Sequence, residues 1–374
     1  MAKKIMLWPS ARSKFVKANN MKLIYYSLIV LSVVMVLLNY YMYSFMYGFK
    51  LLLMILIAII ATIETEILFY TIDKDINRQE SKELIKKSYP KITALIYVLL
   101  IPIGTPLWLV GLGAILATLL GKLLFGGFHH MVFHSSLVGV IFVTLGWPGL
   151  VDSVPFMTSF DNYIIDLIFN NSFFNETLSI GNLYDPASIP TLDHILNVIS
   201  DWGYFGDNSS IYSLKEVFIG ISPGVIAGAV FIIPISVFLV FKKAINWVTP
   251  VSMILSFTLI AWIIAITNKV EIHEGLFIRV PHDMSYIWYQ LFSGSFLFVV
   301  IFITTDPITT PINDKGKIIF GLIAGSLTML IRNAGTNTEG VFYAVGFMMM
   351  LTPMINAGFK AKPKKKALPK KEGA

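Results

Sequence analysis

Long apolar runs, one after another, leave this chain few folds to choose from. Residues 23–43 and 49–71 are each long enough to cross a hydrocarbon layer as a helix, which takes about 20 apolar residues. Further apolar runs follow at 92–103, 106–125, 131–147, 216–241, 248–268, 286–304, 319–331 and 341–355. In lipid every backbone donor and acceptor must find its partner inside the protein, which restricts spanning segments to helices and closed barrels. Only 14% of the 374 residues are charged, where a soluble domain carries about a quarter. The expectation is an all-α integral membrane protein with about ten transmembrane helices.

Charge then orients the chain. Residues 1–22 hold Lys3, Lys4, Arg12, Lys14, Lys17 and Lys22, a basic cytoplasmic N-terminal segment by the positive-inside rule. The first apolar run carries no small-residue cleavage site, so it reads as a retained span. A charged stretch, Asp73 to Lys91, and the pair Lys242-Lys243 mark further cytoplasmic loops, and residues 358–374 form a lysine-rich cytoplasmic tail. The loop 148–214 has eight acids and no Lys or Arg, and belongs outside. These cues give a membrane domain over 23–357, multi-pass in the cell membrane, with both termini cytoplasmic. Ten spans also suggest two inverted five-helix repeats, with the breaks Pro102–Pro106 and Thr305–Pro311 at corresponding places. Paired broken segments of that kind point to a central site.

Composition excludes much chemistry. The chain has no cysteine, so disulfides, thiolate zinc and iron–sulfur clusters have no ligands here. Any redox chemistry needs an organic cofactor. The net charge of +7 sits at the two ends, a pattern suited to the lipid bilayer surface and not to nucleic acid.

Three places carry residues that a membrane helix bears only at a cost. Glu66 lies inside the second apolar run, where a carboxylate costs about 2.5–3.5 kcal/mol on insertion scales. It either faces the bundle on an ion path or lies close enough to the cytoplasmic end to reach water, with Glu64 on another side of the helix. His129, His130 and His134 follow Lys122 and a Gly-Gly pair; His130 and His134 would share a face if the helix continued, a weak metal signal without an acidic third ligand. Thr305, Asp306 and Pro307 open a polar turn pressed between apolar runs, which is tolerable only where it lines a protein or water cavity. In the outer loop, Thr191 or Asp193 reads as a helix cap.

The order and spacing of Thr305-Asp306-Pro307, Thr309, Pro311, Lys315-Gly316-Lys317, Gly321, Gly325, Leu330-Ile331-Arg332, Glu339-Gly340 and Thr352-Pro353 resemble the last third of the NqrB/RnfD family. Those are the membrane subunits of the sodium-pumping NADH:quinone oxidoreductase and of the Rnf ferredoxin:NAD oxidoreductase. The resemblance implies a membrane subunit of an ion-translocating electron transport complex, moving electrons through flavin and coupling them to Na+ or H+. It implies other membrane and peripheral subunits as partners. In the family a D-G-x-S-G-A-T loop carries FMN as a phosphoester on the threonine. Here the frame is Asp185, Ser188 and Thr191, with Ile189-Pro190 in place of Gly-Ala. Thr191 is thus the implied covalent FMN site.

The segment from Lys122 matches the family's K-x-x-F-G-G, but its N-F-x-N-P-A, which helps hold a second flavin, becomes Met131, His134 and Ser135-Ser136. That departure counts against a second flavin, riboflavin or FMN, although His134 retains a hydrogen-bonding ring. The run from Glu66 resembles the family segment whose acidic residue is implicated in sodium uptake. Two other readings keep the fold without redox work: a non-redox transporter or channel, and a structural membrane anchor.

Overall fold

The structure, a computed structural model, describes residues 18–42, 45–74, 77–86, 88–151, 228–268, 287–288, 290–334 and 340–359. The described residues are helical apart from short connections. Helices α1 (Ala18–Met42) and α2 (Phe45–Lys74) are packed against each other. Helix α2 also packs against the short charged α3 (Arg78–Ile85), α4 (Pro90–Leu100) and α5 (Leu107–Thr118). The chain continues from α5 through a π-helical turn, Leu119–Leu123, and a 3-10 turn, Phe128–His130, into α6 (Ser135–Gly146).

A second group holds α7 (Ala229–Phe241), α8 (Val248–Asn268), α9 (Phe296–Phe298, extended by a π turn over Val299–Ile303), α10 (Asp314–Ala334) and α11 (Gly340–Gly358). Helix α10 lies between α8 and α11, and the groups meet where α6 touches α11 and α1 touches α7.

The helices begin and end where the sequence gives the backbone a reason. Pro90 starts α4, its missing N–H costing nothing in a first turn, after Tyr89 in a left-handed conformation (φ 55°). Gly126 and Gly127, at φ 95° and 97°, turn the chain after Lys122, a conformation that side chains with a Cβ rarely adopt. Gly127 also leaves room for the Tyr70 hydroxyl, which would lie 3.1 Å from an added Cβ.

Helix lengths bear on the expected span count. Among the described residues, five helices are long and apolar enough to cross a membrane: α1, α2, α8, α10 and α11. The run at 92–103 is an 11-residue helix and that at 131–147 a 12-residue helix, about 16–18 Å long at 1.5 Å per residue. They are half-length helices packed in the protein, which is why α4 is buried at nearly every position. Described residues of the run at 216–241 give only the 13-residue α7. Among the described residues, helix length therefore supports five spans with four shorter apolar helices among them.

Buried hydroxyls look after the backbone groups that the broken helices free. Thr304 Oγ1 donates to the Val300 carbonyl at 2.7 Å, Thr305 Oγ1 to Ile301 at 2.6 Å, and Thr310 Oγ1 to Asp306 at 2.6 Å. From α11, Asn356 Oδ1 accepts the Ile312 N–H at 3.0 Å and so fixes the end of the turn. Arg332, at the end of α10, donates to the carbonyls of Gln290 at 2.6 Å and Ser293 at 3.0 Å. Its guanidinium also lies over the stacked rings of Phe257 and Phe296.

Candidate functional site

Glu66 and Glu64 are two residues apart on α2 and meet opposite fates. Glu64 is half exposed and forms an ion pair at 2.6 Å with Arg78 of α3, a pair in contact with water that contributes little to stability. Glu66 is fully buried, and its Oε1 accepts a hydrogen bond from Lys122 Nζ at 2.6 Å, with both side chains at 0% exposure. Lys122 also donates to the Ser88 carbonyl at 2.5 Å and lies 5.3 Å from the centre of the Phe128 ring. The second carboxylate oxygen, Oε2, is buried with no hydrogen-bond partner among the described residues.

The position of Lys122 follows from the π turn at the end of α5. Such single turns add a residue to the helix and redirect the side chains that follow. Gly121, in the same turn, sits so close to α6 that an added Cβ would fall 2.6 Å from Ser135 Cα. The start of α6 is held in turn by α4: Ser136 Oγ donates to the Thr93 carbonyl at 2.8 Å, and Ser135 Oγ lies 3.2 Å from Thr93 Oγ1. The Ser-Ser pair, where the resembled family has Pro-Ala, is here a clamp between two half-length helices.

Phe128 is also a wall of a small cavity between the start of α6 and the Thr305–Pro311 turn; the Pro102–Pro106 break does not line it. His134 lies on one side; Thr305, Asp306 and Pro307 lie on the other. Its volume is about 30 Å³, room for one water molecule. Asp306 Oδ2 accepts from the Thr309 backbone N–H at 3.2 Å and from the Thr309 hydroxyl at 2.9 Å. His134 Nδ1 is buried and has no partner among the described residues, while the His134 N–H meets Met349 Sδ at 3.4 Å.

The structure therefore brings His134, Thr305 and Asp306 to one cavity and sets Lys122, the partner of Glu66, against its Phe128 wall. Asp185, Ser188 and Thr191 lie outside the described residues. His130 and His134 do not share a helix face, because His130 ends the 3-10 turn and His134 precedes α6 in extended backbone. Among the described residues no group of three His, Asp or Glu side chains is placed to hold a metal.

Two functional candidates escape sequence reasoning. Lys122 is the counter-ion of Glu66, and the only signal for it is a lysine inside an apolar run. Lys50 is likewise buried, within α2, and donates at 3.1 Å to the Gly104 carbonyl in the Pro102–Pro106 break.

Comparison with known proteins places these residues in context. The model of the NQR2, RnfD, RnfE family matches residues 13–365. A protein of Actinobacillus succinogenes, named as the D component of an ion-translocating oxidoreductase complex, is 28% identical over 329 residues, covering 83% of this chain and 85% of that protein. Proteins of the same name from Haemophilus ducreyi and Klebsiella pneumoniae are 28% and 26% identical. The Haemophilus match covers 71% of this chain and 74% of the relative, the Klebsiella match 84% and 87%.

Proposed function

Because the chain belongs to the NQR2, RnfD, RnfE family, we propose that it is a membrane subunit of an ion-translocating oxidoreductase complex, with Glu66 and Lys122 forming a station on the ion path. The observation that carries this reading is the desolvated pair itself, one oxygen of which has no partner among the described residues. An intramembrane charge is expensive and tends to be kept where ions move. The Lys122 ammonium rests on a carboxylate oxygen and a backbone carbonyl, oxygen ligands of the kind that a desolvated monovalent cation takes. A translocated Na+ or H+ reaching Glu66 competes with that ammonium for the same charge. Lys122 thus acts as a built-in counter-cation, pairing with Glu66 when no ion is present and yielding it when one arrives.

The neighbouring cavity supplies the next polar groups. His134 precedes α6 and Asp306 lies in the Thr305–Pro311 turn, where exposed backbone is tolerable because protein surrounds it. In this reading the termini lie in the cytoplasm, and Arg78 and Glu64 mark the cytoplasmic approach to Glu66. The test is the Glu66→Gln variant in the assembled complex. It keeps the shape and removes the charge, so electron transfer should persist while its dependence on Na+ or pH is lost. An unaltered ion dependence in this variant excludes Glu66 from the path.

Electron transfer requires a cofactor, and the frame Asp185, Ser188 and Thr191 supports FMN on Thr191 as a phosphoester. The flavin would supply one- and two-electron transfer. A phosphoester survives denaturation, so flavin fluorescence is expected to migrate with the chain on a denaturing gel and to disappear in Thr191→Ala. An unmodified intact mass, from cells that flavinylate other targets, would remove the flavin from the proposal and favour a non-redox role.

A further inference from the structure

A groove on the flank of the first helix group differs in character from the candidate ion station. It runs between the start of α1, the body of α2, the surface helix α3 and the start of α4, with a volume of about 380 Å³. That is within the range occupied by small-molecule sites. Its walls are apolar, formed by side chains such as Tyr25, Ile63 and Ile85. Its rim carries four lysines, Lys22, Lys82, Lys86 and Lys91, contributed by three different helices.

Lys86 is partly neutralised by Glu83 at 2.6 Å. Lys22, Lys82 and Lys91 are exposed and have no carboxylate within ion-pair distance among the described residues. Two nearby charges are engaged elsewhere, since Glu83 holds Lys86 and Arg78 of α3 pairs with Glu64.

The two parts of the groove are arranged along the helices. The lysines stand at helix ends: Lys22 in the first turns of α1, Lys91 in the first turn of α4, and Lys82 on α3. Ile63 lies on α2 one residue before Glu64, the partner of Arg78, and faces the same groove as Lys82 and Ile85. The site thus has a cationic rim and apolar walls. Helix α3 is fastened over it by the Thr71 and Ser81 hydroxyls, 3.0 Å apart, and by buried Ile85.

We propose that this groove binds one anionic phospholipid, its phosphate held by Lys22, Lys82 and Lys91 and an acyl chain laid along Ile63 and Ile85. A lysine-only patch would suit any polyanion, and an apolar groove alone would suit any chain. The combination selects a molecule that is anionic at one end and aliphatic along the rest. Basic pockets between membrane helices bind acidic headgroups in this manner.

The test uses the full-length purified chain in detergent, titrated with phosphatidylglycerol or phosphatidylcholine and followed by native mass spectrometry and thermal unfolding. One phosphatidylglycerol should bind in preference to phosphatidylcholine and raise the melting temperature. Each neutralised lysine should weaken binding about fivefold, from roughly 1 kcal/mol per lysine against an anionic surface. The variant K22Q/K82Q/K91Q should therefore lose about a hundredfold, by the same reckoning. The control K242Q/K243Q/K315Q removes the same charge elsewhere and should lose little. Ile63→Trp fills the groove without altering charge and should also displace the lipid.

Equal losses in the control would reduce the effect to bulk electrostatics and overturn the site. Equal stabilisation by inorganic phosphate, or undiminished binding in Ile63→Trp, would make it a simple anion or acidic-peptide patch and overturn the lipid assignment. Absence of any phosphatidylglycerol preference in the wild-type chain would do the same.

Discussion

Replacing Lys122 by methionine is expected to destabilise the protein by about 3–5 kcal/mol, the cost of leaving one partner of a buried ion pair uncompensated. Methionine fills nearly the same volume, so the loss measures charge and not packing. In Lys122→Met, Glu66 would remain at 0% exposure without its ammonium partner. The double variant E66Q/K122M removes both charges and should recover most of that stability, because desolvating the pair costs about as much as its attraction returns. Thermal unfolding in detergent separates the cases. Equal stability of Lys122→Met and the wild-type chain would mean that the two charges do not meet in the membrane. The recovered double variant should still lack ion-dependent turnover, since a stable fold without the carboxylate has no station to offer. That pattern, stability restored without function, distinguishes a working ion pair from one that merely fills the core.

The same pair shows where sequence reasoning succeeds and where it stops. Glu66 stands out because a carboxylate inside an apolar run is costly wherever it points, and its neighbour Glu64 is two residues away and so on another side of the helix. Lys122 does not declare itself as the partner, since it is 56 residues distant and the contact depends on how α5 ends. The π turn that aims it inward is a local change of helical register with no sequence signature of its own. The Thr305–Pro311 turn is legible for a simpler reason: a proline and an aspartate between apolar runs have few tolerable environments. What it faces is not legible, because the cavity needs His134 from a segment about 170 residues earlier.

Span number turns on a different point. Apolar composition says that a segment avoids water and cannot say whether lipid or protein surrounds it. The run at 92–103 is as apolar as a membrane span, yet α4 is 11 residues long and buried by its neighbours on most sides. Short buried helices and spans are separated by length, and length is set by breakers such as Pro102 and Pro106 that a hydropathy window averages away. Lys50 shows the converse: it lies at the margin of an apolar run and draws no reading from the sequence, whereas its ammonium is inside, on a carbonyl in one of those same breaks.

Adding one methyl group at Gly325 is expected to cost about 3 kcal/mol or more, at the upper end of the usual penalty for overpacking. Gly321 and Gly325 form the face of α10 that meets α8, a small-residue seam that lets two membrane helices approach closely. A Cβ on Gly325 would fall 2.2 Å from the Met253 carbonyl oxygen, which is backbone and has no rotamer to change. A Cβ on Gly321 would fall 2.0 Å from Ser252 Oγ, a hydroxyl that can be removed, with the Thr249 carbonyl oxygen next at 2.8 Å. Ser252→Ala should therefore recover part of the loss in Gly321→Ala. Ser256→Ala should recover little in Gly325→Ala, since the backbone oxygen stays in place. The consequence reaches the site, because α10 follows directly from the turn that carries Thr305 and Asp306, and Thr249 of α8 and Thr305 line one small cavity. Parting α8 from α10 moves that turn away from His134, so Gly325→Ala should lose ion-coupled turnover together with its melting temperature. If unfolding temperatures of Gly325→Ala and the wild-type chain coincide, the two helices are too far apart for a methyl group to meet Met253, and the seam does not position the turn.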